Sequence, residues 1–128
     1  LEFLQRKNFI MNFKPKKLKE RLDNILQAVK KDNPLLGYDV AKYRIKTRWP
    51  EAEPYIMQSP WTAADYAINV IKDRWSEAEP YILQDPGAAR YYATVLLKQR
   101  WPEAEPYIKN DPGAWFRYKH KFNIKDEL

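Results

Sequence analysis

Arg48 to Ile56 reads RWPEAEPYI, Arg74 to Ile82 reads RWSEAEPYI, and Arg100 to Ile108 reads RWPEAEPYI again. Trp49, Trp75 and Trp101 stand 26 residues apart, and so do Pro34, Pro60, Pro86 and Pro112. A fixed period without insertions obliges each copy to sit in nearly the same surroundings as the one before, which is the mark of a stacked array. Asn33, Ser59, Asp85 and Asp111 each precede one of these prolines. This places the units at 33–58, 59–84 and 85–110, with a truncated fourth at 111–128.

The Asn/Ser/Asp-Pro pair is a helix start. The first residue offers a side-chain acceptor to orphan backbone N–H groups, and proline suits a position that needs no donor. Helical spacing follows. Ala89, Tyr92, Ala93, Leu96, Leu97 and Trp101 recur at steps of three and four, as do Ala63, Ala67, Val70, Ile71 and Trp75, and the first unit offers Val40, Ala41, Ile45 and Trp49. A helix of about fifteen residues, roughly 22 Å long, is therefore expected to open each unit and to end near RWP, where Trp49 and Trp101 precede proline. The EAEPYI segment starts a second, shorter helix. Ser76 and Glu79 fit a capping box; alternatively Pro54 marks the first helical position and the helix is about one turn long. Both readings stand at this point.

The recurring columns suit stacking. Ala41, Ala67 and Ala93 are small enough for neighbouring helices to approach. Tyr66, Tyr92 and Tyr118 form a second column, with Val40 at that position in the first unit. Trp49, Trp75 and Trp101 are expected to stack as a ladder. In the fourth unit the small column becomes Lys119, with Lys121 and Lys125 beyond it, as expected where an outer face meets water. At the other end, Lys16 to Lys31 reads as an amphipathic helix with Leu18, Leu22, Ile25, Leu26 and Val29 on one face. The expected architecture is all-α: tandem 26-residue helix–turn–short-helix repeats stacked as a short α-solenoid. A basic amphipathic helix over 14–32 caps the array at the N-terminal side, and residues 111–128 cap it at the C-terminal side. Residues 1–13 form an N-terminal extension. Met11 is a plausible natural start, which would make LEFLQRKNFI an upstream remnant.

Charge is unevenly placed. The net charge is +6. Residues 1–32 hold nine Lys or Arg against four Asp or Glu, and residues 33–128 hold fourteen against thirteen. The basic character thus belongs to the arm, not to the repeats. Absence of cysteine removes disulfides, Cys-based zinc sites and thiol catalysis. No apolar run is long enough for a membrane span, and the N-terminal stretch has no signal-peptide core. The terminal KDEL spells an ER-retention signal. Without an entry signal it is read as coincidence, and a cytoplasmic location is expected.

With DP-x6-YA between copies of RWPEAEPYI, the chain resembles short tandem-repeat proteins of bacteriophage and some bacterial genomes that carry R-W-x-E-A-E-x-x-I units. The resemblance covers about residues 33–112. It brings no reaction chemistry with it. A phage-type protein acting on a host factor in the host cytoplasm is what it implies.

Each chemistry-bearing feature has a structural counterpart reading. The carboxylate pairs Glu51/Glu53, Glu77/Glu79 and Glu103/Glu105 could serve acid–base chemistry or a hard metal. They read better as helix-start carboxylates, with Arg48, Arg74 and Arg100 as further partners, because an enzyme has little reason to copy a site into every unit. The Trp column reads as core rather than a stacking platform. Lys46, Lys72 and Lys98 read as cations at helix ends. His120 is the only histidine and makes no metal site by itself; Ser59 and Ser76 fall at cap positions. With no nucleophile–base set and no phosphate loop, no catalytic, metal or cofactor residue is expected, and the chain is read as non-enzymatic.

Columns that differ between units are the better candidates for recognition. They are Leu35, Trp61 and Gly87; Asp39, Asp65, Tyr91 and Arg117; Lys42, Ile68 and Thr94; Tyr43, Asn69 and Val95; and Thr47, Asp73 and Gln99. Trp61, Tyr43, Tyr91, Asp39, Asp65 and Asn69 are the candidate contacts with a protein partner. Trp61 either stands exposed as an anchor or fills a local gap. Two alternatives accompany this reading. Lys14, Lys16, Lys17, Lys19 and Arg21 could neutralise the phosphates of a nucleic acid, and open-ended repeats could self-assemble into an oligomer.

Overall fold

The computed structural model describes residues 15–125. The readings placed on residues 1–13, on Lys14 and on the last three residues of KDEL lie outside the described residues, and so does the Lys16 side chain. Among the described residues every regular element is helical and no strand occurs. Helix α1 spans Pro15–Lys30. Then come α2 (Pro34–Asp39), α3 (Glu53–Ile56), α4 (Pro60–Tyr66), α5 (Glu79–Ile82), α6 (Pro86–Tyr91), α7 (Glu105–Ile108) and α8 (Pro112–Phe122).

The helix starts are built by the residues that announce them. Asn33 accepts from the Leu36 N–H at 3.1 Å, Asp85 from Ala88 at 3.1 Å, and Asp111 from Gly113 and Ala114. Ser59 departs from the expectation: its hydroxyl bonds Thr62 Oγ1 at 3.0 Å instead of a backbone N–H.

The helix ends differ from the sequence expectation. Helices α2, α4 and α6 do not run on to the tryptophans. Each passes into a wider π-helical stretch, over Val40–Ile45, Ala67–Ile71 and Tyr92–Leu97. There the Lys46, Lys72 and Lys98 N–H groups reach back five residues to the carbonyls of Ala41, Ala67 and Ala93, at 2.7–2.8 Å. Those three lysines then take the left-handed conformation, with φ of 62°, 62° and 55°, and the chain reverses. Proline is not what ends the helix. Trp75 precedes Ser76 and Trp101 precedes Pro102, yet their backbones agree closely (φ −119°, ψ 81° and φ −120°, ψ 85°).

The short helix is the one-turn alternative. Glu53–Ile56, Glu79–Ile82 and Glu105–Ile108 each carry proline in the first turn. The capping box is not formed, since no side chain caps the Ser76–Ala78 turn.

Helices α2, α4, α6 and α8 touch in chain order, and each short helix lies against the longer helix before it. Between them are buried Ala41, Ala67 and Ala93, Ala52, Ala78 and Ala104, and Ile56, Ile82 and Ile108. Each fully buried isoleucine contributes about 1.5–3 kcal/mol. Helix α1 closes the first unit, contacting α2 and α3. Its Val29 is buried and Leu22, Ile25 and Leu26 partly so, while Leu18 stays exposed. Crowding there explains Gly37, in the column that holds Ala63 and Ala89. A Cβ at Gly37 would lie 2.8 Å from Ile56 Cγ1 and 3.2 Å from Val29 Cγ1.

The tryptophans do not stack on one another. Trp75 lies against Tyr66 (ring centroids 4.9 Å apart) and Trp101 against Tyr92 (5.0 Å).

Candidate functional site

Two groups of side chains carry the polar chemistry of the molecule. The first is a bond set that occurs three times. Arg48 grips Glu53 with two parallel bonds, Nη2 to Oε1 at 2.7 Å and Nε to Oε2 at 2.8 Å. Tyr66 donates its hydroxyl to Glu53 Oε2 at 2.7 Å and accepts the Trp49 backbone N–H at 2.8 Å. Arg74, Trp75, Glu79 and Tyr92 repeat the arrangement, and Arg100, Trp101, Glu105 and Tyr118 repeat it again. Each tyrosine thereby ties its own helix to the turn of the preceding unit. Val40 occupies the tyrosine position in the first unit, where α1 and not an Arg-Trp-Glu turn precedes it.

Of each carboxylate pair, only the second member joins this set. Glu77 instead accepts the Trp75 indole N–H at 3.1 Å, and Glu51 and Glu103 are exposed. Burial pushes the Glu53 and Glu79 carboxyls up, but the bonds from Arg48 and Arg74 and from Tyr66 and Tyr92 outweigh it and hold both below the usual range. At Glu105 the Arg100 guanidinium dominates, with the same result. The tyrosines move the other way. Burial raises Tyr66 and Tyr92, and it pushes Tyr118 up to about 12. A carboxylate with both oxygens engaged and a phenol that keeps its proton are poor general bases and nucleophiles. The set is built to hold units together.

The second group is the face formed by the columns that change between units. Trp61 does both things the sequence left open: it is 43 % exposed, and it fills a gap. Its ring lies 5.4 Å from that of Tyr91 and rests over Gly87, where a Cβ would meet Trp61 Cζ2 at 2.9 Å. Tyr91 donates to Asp65 at 2.9 Å. Asn69 donates to the Tyr38 hydroxyl at 3.0 Å, and the Lys42 ammonium lies over the rings of Tyr38 and Tyr43 at 5.6 and 4.9 Å. So Trp61, Tyr91 and Asp65 come together, and Asn69 joins Tyr43 through Tyr38 and Lys42. Asp39 is half-buried beside them in sequence, with no bond to the others. Tyr43 at 62 % and Leu35 at 56 % are the most open apolar side chains of this face.

Sequence reading missed Tyr38, although its column, which continues as Ala64, Arg90 and Phe116, differs between units. It also missed Arg90, which stands in the same column as Tyr38, and named Arg117 only as a member of a variable column. Burial and the nearby Arg117 lower the Arg90 pKa from its ordinary value, and neither arginine has a hydrogen bond or ion pair among the described residues.

Lys17, Lys19 and Arg21 are exposed on α1. Among the described residues no cluster of side chains could hold a metal ion, and no helix is long and apolar enough to cross a membrane. Compared with protein-family models, with curated proteins and with solved structures, the chain matches none.

Proposed function

We propose that the chain is a non-enzymatic helical-repeat module, a short α-solenoid that binds another protein through its variable face. One observation carries this reading. The recurring Ala41, Ala67 and Ala93, Trp49, Trp75 and Trp101, and Ile56, Ile82 and Ile108 of the frame are buried, whereas Leu35, Tyr43, Trp61 and Val95, which do not recur, are exposed. A frame held by recurring bonds leaves its unshared residues free for recognition. Trp61 supplies a large, partly immobilised aromatic surface, the kind of side chain that anchors protein interfaces. The partner fitting the phage-type resemblance is a host protein.

Self-assembly end to end is disfavoured by Val40, which lacks the hydroxyl that ties each later unit to its predecessor. Nucleic-acid binding by the basic arm remains the competitor, and one experiment separates the two. Full-length protein and its Trp61→Ala and Tyr43→Ala variants serve as bait in a host lysate, with and without nuclease. A stoichiometric protein that survives nuclease and is lost from the Trp61→Ala bait, at unchanged helicity, is the expected result. Capture that disappears with nuclease, or that Trp61→Ala leaves intact, would overturn the reading.

A further inference from the structure

A second feature lies apart from the variable face, at the last unit. A cleft of about 540 Å³ opens there between α7 and α8. Among the described residues its walls carry Arg100, Lys109, Lys119 and Lys125, with Glu105 as the acid and Trp115 as the large aromatic. Glu105 is already bound by Arg100 and Tyr118. Lys109 and Lys125 have no ion-pair partner among the described residues.

Two of the ammonium groups are positioned. Lys109 Nζ lies 5.0 Å and Lys119 Nζ 5.8 Å from the centre of the Trp115 ring. Both Trp115 and Lys119 are half-buried. Held against an indole, the lysines have less rotamer freedom to lose on meeting an anion than solvated ones would.

Each of these positions breaks its column. Lys109 stands where earlier units have Met57 and Leu83. Trp115 stands where they have Gly37, Ala63 and Ala89, and Lys119 where they have Ala41, Ala67 and Ala93. A water-facing end of the row requires only polarity and would be served by side chains of either sign. These changes introduce cations and an indole, and no acid. A cleft of this volume is of small-molecule size.

We propose that the cleft binds a small phosphate-bearing anion, with Lys109 and Lys125 meeting its oxygens and Trp115 forming the wall beside it. Compact ammonium charges suit phosphate oxygens. The indole wall favours an aromatic group attached to the phosphate, such as a nucleobase.

The test is a titration of the isotope-labelled full chain with inorganic pyrophosphate, ADP and adenosine. The readout is the indole N–H resonance of Trp115, assigned from Trp115→Phe. Pyrophosphate and ADP should both shift it saturably, less strongly as salt is raised, and adenosine should not. Lys109→Gln and Lys125→Gln should each weaken binding about five- to tenfold, the loss of one charge-assisted contact. Lys121→Gln, on α8 but outside the cleft, should not. Tighter binding of ADP than of pyrophosphate assigns the natural ligand to nucleotides, and equal binding assigns it to free phosphates. An unshifted resonance, equal response in the Lys109→Gln and Lys121→Gln variants, or a shift produced only by an oligonucleotide would overturn the proposal. Because Trp61 lies outside the cleft, Trp61→Ala should bind pyrophosphate as wild type does, so the two sites stand or fall separately.

Discussion

Tyr92 shows how much rests on one oxygen. Its hydroxyl serves the Trp75 N–H and Glu79 at once. Tyr92→Phe keeps the ring against Trp101 but leaves a buried donor and a half-buried acceptor short of a partner. The expected cost is about 1–3 kcal/mol, read from urea unfolding, with the native helix content retained below the transition. Titration follows from the same residues. Glu53, Glu79 and Glu105 lie below their ordinary pKa in the folded state, so their contribution is complete above about pH 4.3. It is lost as pH falls through the lower folded values. Tyr66, Tyr92 and Tyr118 lie above their ordinary pKa. Their contribution is complete below about pH 10 and is lost as pH rises through the folded values. Thermal melts across pH should therefore give a plateau bounded on both sides, and the alkaline edge should soften in Tyr92→Phe. An alkaline edge indifferent to that substitution would place the titrating group elsewhere. At this scale the sequence named the Arg, Glu, Tyr and Trp columns and offered the Arg–Glu pairs, but not the tyrosine's bonds, because the tyrosine reaches across a unit boundary and no spacing within one unit shows it.

The π-helical stretch is the device that sets each unit's length. Lys46, Lys72 and Lys98 stand twelve residues past Pro34, Pro60 and Pro86, whereas Asn123, which ends the all-α helix α8, stands eleven past Pro112. The extra residue in each unit is absorbed by the wider turn. Apolar spacing does not reveal this. Steps of four from Ile45, Ile71 and Leu97 lead on to the tryptophans as though the helix continued, and lysine gives no sign of a left-handed end that glycine would have marked. A left-handed backbone costs a residue with a Cβ about 1–2 kcal/mol. Lys72→Gly and Lys98→Gly should each stabilise by about 0.5–1 kcal/mol after glycine's greater unfolded-state freedom is set against that gain. A rise in thermal midpoint checks it; a fall would mean the lysine stems hold the turn by contacts of their own. Glycine has the opposite meaning at position 87, where Gly87→Ala pushes a methyl into Trp61. Partner capture should weaken more than stability does, and capture equal to wild type would remove Trp61 from the interface.

Across the whole molecule, contacts join neighbours in sequence order, so stability should behave as a sum of unit and neighbour terms. Deleting residues 59–84 should leave a folded, shorter protein. Tyr92 would then meet Trp49, Arg48 and Glu53 at the sequence separation that Tyr66 now has. A lower thermal midpoint with a retained cooperative transition is expected; a chain without such a transition would show that the middle unit carries something its neighbours lack. The all-α class was legible at this level because the recurring residues fall at helical spacing. The candidate sites were less so: differing columns named Trp61, but its seat over Gly87 and the basic cleft arise from packing between units that spacing along the chain does not show.

Val40 also speaks to descent. A middle unit offers a tyrosine backward and an Arg-Trp-Glu turn forward, so it can be copied or lost as a whole with every inter-unit bond re-formed. The first unit, lacking the tyrosine, cannot be moved inward without leaving a turn unmet. Change in such a lineage should come in steps of one unit. It should fall in the interior, while the two flanking segments keep their places and are altered only residue by residue.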